Sequence, residues 1–278
     1  MHRSKPRHRS KDVGMAENST VTVDSAVAAG AVLETWGHFM PALEGGWVRA
    51  KGGGLAAVTR VPAPPLNGVW VAGADADPQH IADLLDEVAA TGLPHCLQFR
   101  PGAVERMTKL ALSRSMTREE DIPLMALDDA GQLDAAQAVS GLTIRELSPK
   151  EAPAHARLAA AGFELPVEMF LQLTTPALLA APGVRCYLGE VEGQPVTTGL
   201  GFTIGSYVAI FNIATPPGHR RHGYGAAVTA RAVADGLGAG ASWSWLQASA
   251  AGQPVYERLG FRTVETWQCW IAAGKTHK

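Results

Sequence analysis

The period of the apolar positions changes repeatedly along the chain, and each change marks an element. Small and apolar residues with Leu33, Trp36 and Phe39 predict a helix over 25–40, ended by Gly45-Gly46. Strands are expected at 47–50 and 55–61 around the turn Gly52-Gly53-Gly54, and at 69–72 beyond a proline-rich break. Asp77-Pro78 opens the next helix: an aspartate accepts from the first free N–H groups, and proline has the φ of a first turn. On its face Ile81, Leu84, Leu85 and Val88 recur at i, i+3, i+4 and i+7, and Gly92 closes it. A strand at 96–99, a helix at 104–114 and a strand at 123–127 complete the first half.

Residues 129–140 are rich in Asp, Ala, Gly and Gln without apolar periodicity and read as a linker. The order of elements then returns. A strand is expected at 142–146, a helix capped by Ser148, and a short helix at 167–173. Strands at 185–191, 196–204 and 207–214 are joined by the turns Gly193-Gln194 and Gly205-Ser206. A glycine-rich loop at 217–225 leads into a helix whose apolar face is Ala226, Ala230, Val233 and Leu237. A strand at 243–248, a short helix at 254–259 and a strand at 261–271 finish the chain. Both halves therefore read hairpin, strand, helix, strand, helix, strand, a duplication of pattern with little residue identity. The expected class is α+β, in three layers: a mixed, mostly antiparallel sheet flanked by helices in each half.

Composition sharpens this. A chain of 278 residues suits two domains, and 46% hydrophobic against 18% charged residues supplies a core for each. There is no run of about 18 apolar residues, so no spanning helix and no membrane partner is expected. Cys96, Cys186 and Cys269 lie far apart, which excludes a disulfide scaffold and a CxxC-type zinc site. No metal is expected, and a reducing cytoplasm is the default compartment. Arg3, Lys5, Arg7, Arg9 and Lys11 precede the first acid, Asp12, and residues 1–22 read as a disordered basic tail. Elsewhere 19 basic residues face 26 acidic ones. That acidic body is a poor surface for nucleic acid, which is not an expected partner, and tilts the choice of ligand toward a cation. The expected division is the tail at 1–22, a first domain at 23–128, the linker at 129–140 and a second domain at 141–278.

The chemistry concentrates in Pro217-Gly218-His219-Arg220-Arg221-His222-Gly223-Tyr224-Gly225-Ala226. Gly223 and Gly225 permit positive φ and close approach of a ligand to the backbone. They stand where a strand passes into a helix, whose free N–H groups and dipole favour an anion. Arg220 and Arg221 add charge, so the loop suits a pyrophosphate. A P-loop would need Lys and Ser/Thr where this chain has Ala226 and Ala227. A dinucleotide fingerprint would need glycine where it has Val228, and an acid at the end of the next strand, which ends in Gln247 and Ala248.

Arg220, Gly223 and Gly225 stand as in the Arg-x-x-Gly-x-Gly coenzyme A loop of the GCN5-related N-acetyltransferases (GNAT), and the segment resembles that family. Pro254-Val255-Tyr256-Glu257-Arg258-Leu259-Gly260-Phe261 is similar to its late Tyr-x-x-x-Gly-Phe helix end. The likeness runs from about residue 142 to 271. It implies a GNAT fold that transfers an acyl group, acetyl foremost, from acetyl-CoA to a primary amine by direct attack. It implies that the cofactor's arm lies along Ile213, Ala214 and Thr215, and its phosphates on Arg220, Arg221, His222, Gly223, Tyr224, Gly225 and Ala226. Tyr256 matches the general acid that protonates the departing thiolate. Ser249 stands where the family often has Asn against the cofactor. The strand before the loop lacks the carboxylate that often serves as base, which leaves Glu164 or Glu168 as candidates.

The first half lacks both signatures. Its equivalent turn, Gly73 to His80, carries Asp75 and Asp77, which repel phosphate, and Pro78, which lacks an N–H. Arg114-Ser115-Met116 occupies the place of Gly-Phe. It reads as a degenerate copy in a tandem arrangement. Two function classes stay open: an N-acyltransferase, and a CoA-binding sensor or structural module without catalysis. The acceptor, a small molecule or a peptide amine, is open too, as is the choice between monomer and homodimer.

Overall fold

The computed structural model describes residues 22–128, 133 and 139–273. The expected basic tail, Thr22 apart, and most of the expected linker lie outside them. In the first half, helix α1 (Ser25–Phe39) precedes strands β1 (Trp47–Lys51), β2 (Gly54–Val58) and β3 (Asn67–Val71). Helix α2 (Pro78–Ala89), β4 (His95–Phe99), α3 (Val104–Ser113), a two-residue strand β5 (Thr117–Arg118) and β6 (Ile122–Leu127) follow. The second half runs β7 (Leu142–Glu146), α4 (Ala152–Phe163), α5 (Val167–Leu173), α6 (Pro176–Leu179), β8 (Val184–Val191), β9 (Gln194–Ile204) and β10 (Tyr207–Ala214). It ends with α7 (Tyr224–Gly238), β11 (Trp243–Gln247), α8 (Gln253–Arg258) and β12 (Arg262–Ala272). The expected elements are all present; β5 and α6, too short to show a period, are additions.

All twelve strands join one sheet in the order β1-β2-β3-β4-β12-β6-β11-β10-β9-β8-β7, with β5 beside β12. The two neighbouring pairs β3·β4 and β10·β11 are parallel and the rest antiparallel. The centre of the sheet is an exchange. The last strand of the first half, β6, pairs with β11 of the second through Leu124–Leu127. The last strand of the second half, β12, pairs with β6 over its first residues and with β4 of the first half over Gln268–Ala272. Each half thus finishes the other's sheet.

Ion pairs hold the crossing. Arg100 meets Glu265 at 2.9 Å, with the two side chains 15% and 8% exposed, and Arg100 also donates to Ser25 Oγ. Glu265 further accepts from the Trp267 indole. Arg262 donates to Val23 O and Asp128 Oδ2. Burial of apolar area supplies the main driving force, on the order of 25 cal/mol per Å2. One cluster lies under α2 and α3, built on Ile81, Leu84, Leu97, Phe99 and Met107. A second lies under α7 and α8, around Val228, Val233, Leu246 and Phe261. A third runs across both halves on the other face, with Trp70, Trp245, Trp267 and the apolar side of α1. Through it α1 reaches the second half, where the Tyr207 hydroxyl donates to Glu34 Oε2 at 3.1 Å.

The two halves also end their late helices alike. After α8, Phe261 N–H donates to Tyr256 O and Gly260 N–H to Glu257 O, with Gly260 at φ 93°. After α3, Met116 N–H donates to Ala111 O and Ser115 N–H to Leu112 O, with Ser115 at φ 55°. Both are Schellman caps, each followed by a buried apolar anchor, Phe261 or Met116. Ser115 holds a left-handed conformation that glycine adopts more readily, which is why the sequence signature is missing while the geometry is kept. Among the described residues no helix is long and apolar enough to cross a membrane.

Candidate active site

The site begins where two parallel strands part. β10 and β11 are paired only at Tyr207↔Trp243, Val208↔Ser244 and Ala209↔Trp245. Beyond Ala209 the strand turns aside at a bulge: Asn212 and Ile213 together oppose the single residue Gly199 of β9, and Asn212 has φ 51°. A bulge bends its strand and disrupts the ladder. Glycine at 199 leaves room for the bulge: a Cβ there would displace Ile213 Cδ1 and Val228 Cγ1. The gap opens into a cavity of about 480 Å3, lined at this end by Ile210, Asn212, Ile213, Gln247, Ser249 and Tyr256.

The strand then delivers the chain to the anion loop. Arg221 and Gly223 are left-handed, at φ 68° and 82°, and turn the backbone into α7 with Gly223 as N-cap. No side chain caps this helix. The six N–H groups from Arg221 to Ala226 have no acceptor among the described residues; the next donor, Ala227, reaches Gly223 O. Such a row of donors at a helix N-terminus favours an anion. Ala214 and Thr215 lie just ahead of it, tied by Thr197, whose hydroxyl is 3.1 Å from Ala214 O and 2.9 Å from Thr215 Oγ1.

Arg220 does not point at the row of donors. It donates to Thr215 O (3.1 Å) and Gly162 O (2.8 Å) and pairs with Glu164 at 2.9 Å. It clasps the loop to the end of α4, where Gly162 packs so closely on β10 that a Cβ would stand 2.8 Å from Ala214 Cβ. Glu164 is thereby engaged outside the cavity, with its side chain 64% exposed. Glu168, in the first turn of α5, is exposed and does not line the cavity either. His222 stacks on Tyr224 with ring centroids 5.3 Å apart, and its Nδ1 lies 3.3 Å from His219 O.

Tyr256 lines the cavity from α8 and packs edge-on against Phe261. Burial pushes its phenol up to about 12, because an apolar surrounding disfavours the phenolate. Ser249, ahead of α8, spends its hydroxyl on the Gly252 N–H at 3.1 Å while also lining the cavity. The structure therefore brings Ile213, Ser249 and Tyr256 to one cavity and Arg221–Ala226 to its adjoining loop, while the two glutamates stand apart. The bulge at Asn212 was not foreseen; glycine inside a strand, at Gly199, was the available signal.

In the first half the corresponding places are closed. β3 and β4 stay paired from Gly68↔Cys96 to Val71↔Phe99, and Arg100 N–H continues the ladder to Val71 O. The Asp77 carboxylate accepts from Gln79 N–H at the start of α2, and Pro78 removes the neighbouring donor.

The row of N–H groups without an acceptor among the described residues, entered from splayed parallel strands, lies within the segment that the family comparison picks out. Residues 151–261 match the profile of the acetyltransferase (GNAT) family. The match ends one residue before β12, the strand given over to the other half. A GCN5-related N-acetyltransferase from Kribbella flavida has a similar fold, with TM-score 0.67, 19% identity, and coverage of 90% of this chain and 96% of that one. One from Sphaerobacter thermophilus gives TM-score 0.54 at 16% identity, covering 87% and 84%. A tandem GNAT protein from the clavulanic acid biosynthesis pathway, solved without AcCoA, gives 0.53 at 14% identity, covering 84% and 83%. A search of curated proteins finds no match.

Proposed function

We propose that the chain is an acyl-CoA-dependent N-acyltransferase that moves acetyl from acetyl-CoA to a primary amine, with a catalytic second domain (141–278) and a degenerate first domain (23–128). The observation that carries this reading is the three-pair limit of β10·β11, which opens beside six consecutive free N–H groups. The residues present fit the thioester's carrier. The N–H groups of Arg221–Ala226 would hold a diphosphate, and the bulged main chain of Ile213–Thr215 would pair with the amides of its arm. When bound, the thioester supplies an activated carbonyl and a thiolate leaving group.

The chain's own residues then do three things. The loop and β10 fix the reacting ends side by side, which supplies most of the acceleration available to a direct transfer. Burial in the cavity excludes water from the reacting carbon. Tyr256 holds a proton through the neutral range and delivers it to sulfur as the thiolate departs. In the first domain the paired β3·β4 and the Asp77 cap leave no equivalent seat, so one carrier per chain is expected.

One observation favours the second reading, a CoA-binding module without catalysis. Among the described residues none that lines the cavity is an acid or a histidine, so the cavity offers the amine no side-chain base. Calorimetry with CoA and desulfo-CoA, followed by thiol release with a panel of amines, decides between them. One equivalent bound with release supports transfer, and tight binding without release supports the module. No heat with either ligand would overturn both.

A further inference from the structure

The cavity at the splay does not stop at the second half. It runs on between β9, β10 and the first half, where Thr35, Trp36, Phe39, Pro65, Leu66 and Gln98 line it. Trp36, Phe39, Phe202 and Phe211 of its wall belong to a chain of aromatic contacts that crosses the molecule, with Trp70 and Trp245 behind them at either end. Trp70 meets Trp36 at 4.4 Å between ring centroids, Trp36 meets Phe39 at 5.9 Å, and Phe39 meets Phe202 at 5.8 Å. Phe202 meets Phe211 at 5.4 Å, and Phe211 meets Trp245 at 5.6 Å. Phe163, which also lines the cavity, is 45% exposed and so stands at its mouth. Every polar group on this surface is neutral: hydroxyls, side-chain amides and main chain. Among the described residues no charged side chain lines it.

The physical consequence concerns the acceptor. An ammonium or guanidinium drawn into such a space would lose its water and gain no counter-ion. An apolar body would gain both burial and contact with ring faces and edges. The volume, about 480 Å3, lies in the range of sites for drug-sized molecules and must also admit the thioester end. We propose that the acceptor is a primary amine carried on an uncharged aromatic or alkyl body, which lies against Trp36, Phe39 and Leu66 of the first half with its nitrogen turned toward the splay. This rests on the acyl-transfer reading above and names the substrate class of that same site. It sets aside the cationic acceptor suggested by the acidic body, because the net charge of the surface is not the charge of the cavity. It also accounts for the missing carboxylate. A desolvated amine is bound as the neutral base, its proton left in bulk water, so no side chain has to remove it.

The test uses the full chain. Thiol release from acetyl-CoA is measured with phenethylamine, hexylamine and spermidine, together with calorimetry of CoA binding. The expected kcat/KM is at least 100-fold higher for the two apolar amines than for spermidine. Leu66→Glu, at a half-buried position, should cut kcat/KM for phenethylamine at least tenfold and raise it for spermidine, with CoA affinity unchanged. Trp36→Ala should lower the phenethylamine value without adding charge. Equal rates for spermidine and phenethylamine overturn the proposal, as does insensitivity of phenethylamine to both variants. A preference for octanoyl-CoA over acetyl-CoA, indifferent to the body of the amine, would overturn it by assigning the cavity to the acyl chain instead. CoA binding without amine preference defeats this proposal alone. Absence of CoA binding defeats the acyl-transfer reading, and the proposal with it.

Discussion

Replacing Tyr256 by Phe separates chemistry from architecture. The hydroxyl makes no hydrogen bond to the described protein, and the ring's edge-on contact with Phe261 at 6.0 Å survives the change. Because the ring keeps its packing and the lost hydroxyl leaves no partner unpaired, stability should shift by no more than about 0.5 kcal/mol. The N–H groups proposed to hold the phosphates lie on another element, and CoA affinity should stay within about threefold. Turnover should not stay. A positioned general acid contributes roughly 10²–10⁴-fold, or about 3–5 kcal/mol at 1.36 kcal/mol per decade. The same tyrosine fixes the shape of the pH profile. With its pKa pushed up to about 12, the phenol stays protonated far into the alkaline range, and its activity is lost only as pH rises toward that value. The assay is thiol release at saturating acetyl-CoA from pH 6 to 10.5, with calorimetry of CoA for both proteins. Loss of kcat by about 10²-fold or more at constant Kd is expected. A variant rate within threefold of the original, or an alkaline fall centred near the ordinary tyrosine value, would refute the assignment.

Other consequences follow from the same geometry. Glu265→Ala strands the buried Arg100 and should cost about 3–5 kcal/mol, lowering Tm by roughly 10 °C; a shift below about 3 °C would remove this pair as the clasp of the crossing strands. His155 is fully buried with Nδ1 2.7 Å from Thr198 Oγ1, and burial pulls it down to about 4 from 6.5. Unfolding therefore takes up a proton, and stability is full above about pH 6.5 and falls toward pH 4 by on the order of 3 kcal/mol. Urea midpoints at pH 7 and 4.5 should show that slope and lose it in His155→Gln; an unchanged slope counts against it. Residues 22–128 or 139–273 produced alone should not fold as monomers, because each lacks the strand that finishes its sheet. A cooperative monomeric melt from either fragment would contradict this.

Much of the fold was legible because each element carries its own period. Ile81, Leu84, Leu85 and Val88 write a helix face, and the Asp77-Pro78 opening appears in the structure as read. The turn into α7 was legible for a different reason: left-handed backbone at Gly223 leaves a mark in residue type. The exchange of β6 and β12 was not, since pairing partners far apart in sequence leave no local signature. The bulge was hidden because Asn212 is a residue that tolerates positive φ without announcing it. The base candidates were chosen by sequence neighbourhood, and Glu164 sits instead in an exposed pair with Arg220, a contact of little energetic weight. The reach of Trp36 and Leu66 into the cavity depends on how α1 and the turn before β3 cross to the other half, which only packing decides.

The woven centre of the sheet also sets an order of events during synthesis. Domains ordinarily settle one after another as the ribosome releases them. Here the early half must wait with one edge of β4, the one away from β3, unmated until β12 has been translated. A nascent chain of this kind presents an open strand margin for most of its elongation, so its yield in cells should depend on helpers that shield such margins more than its finished stability would suggest.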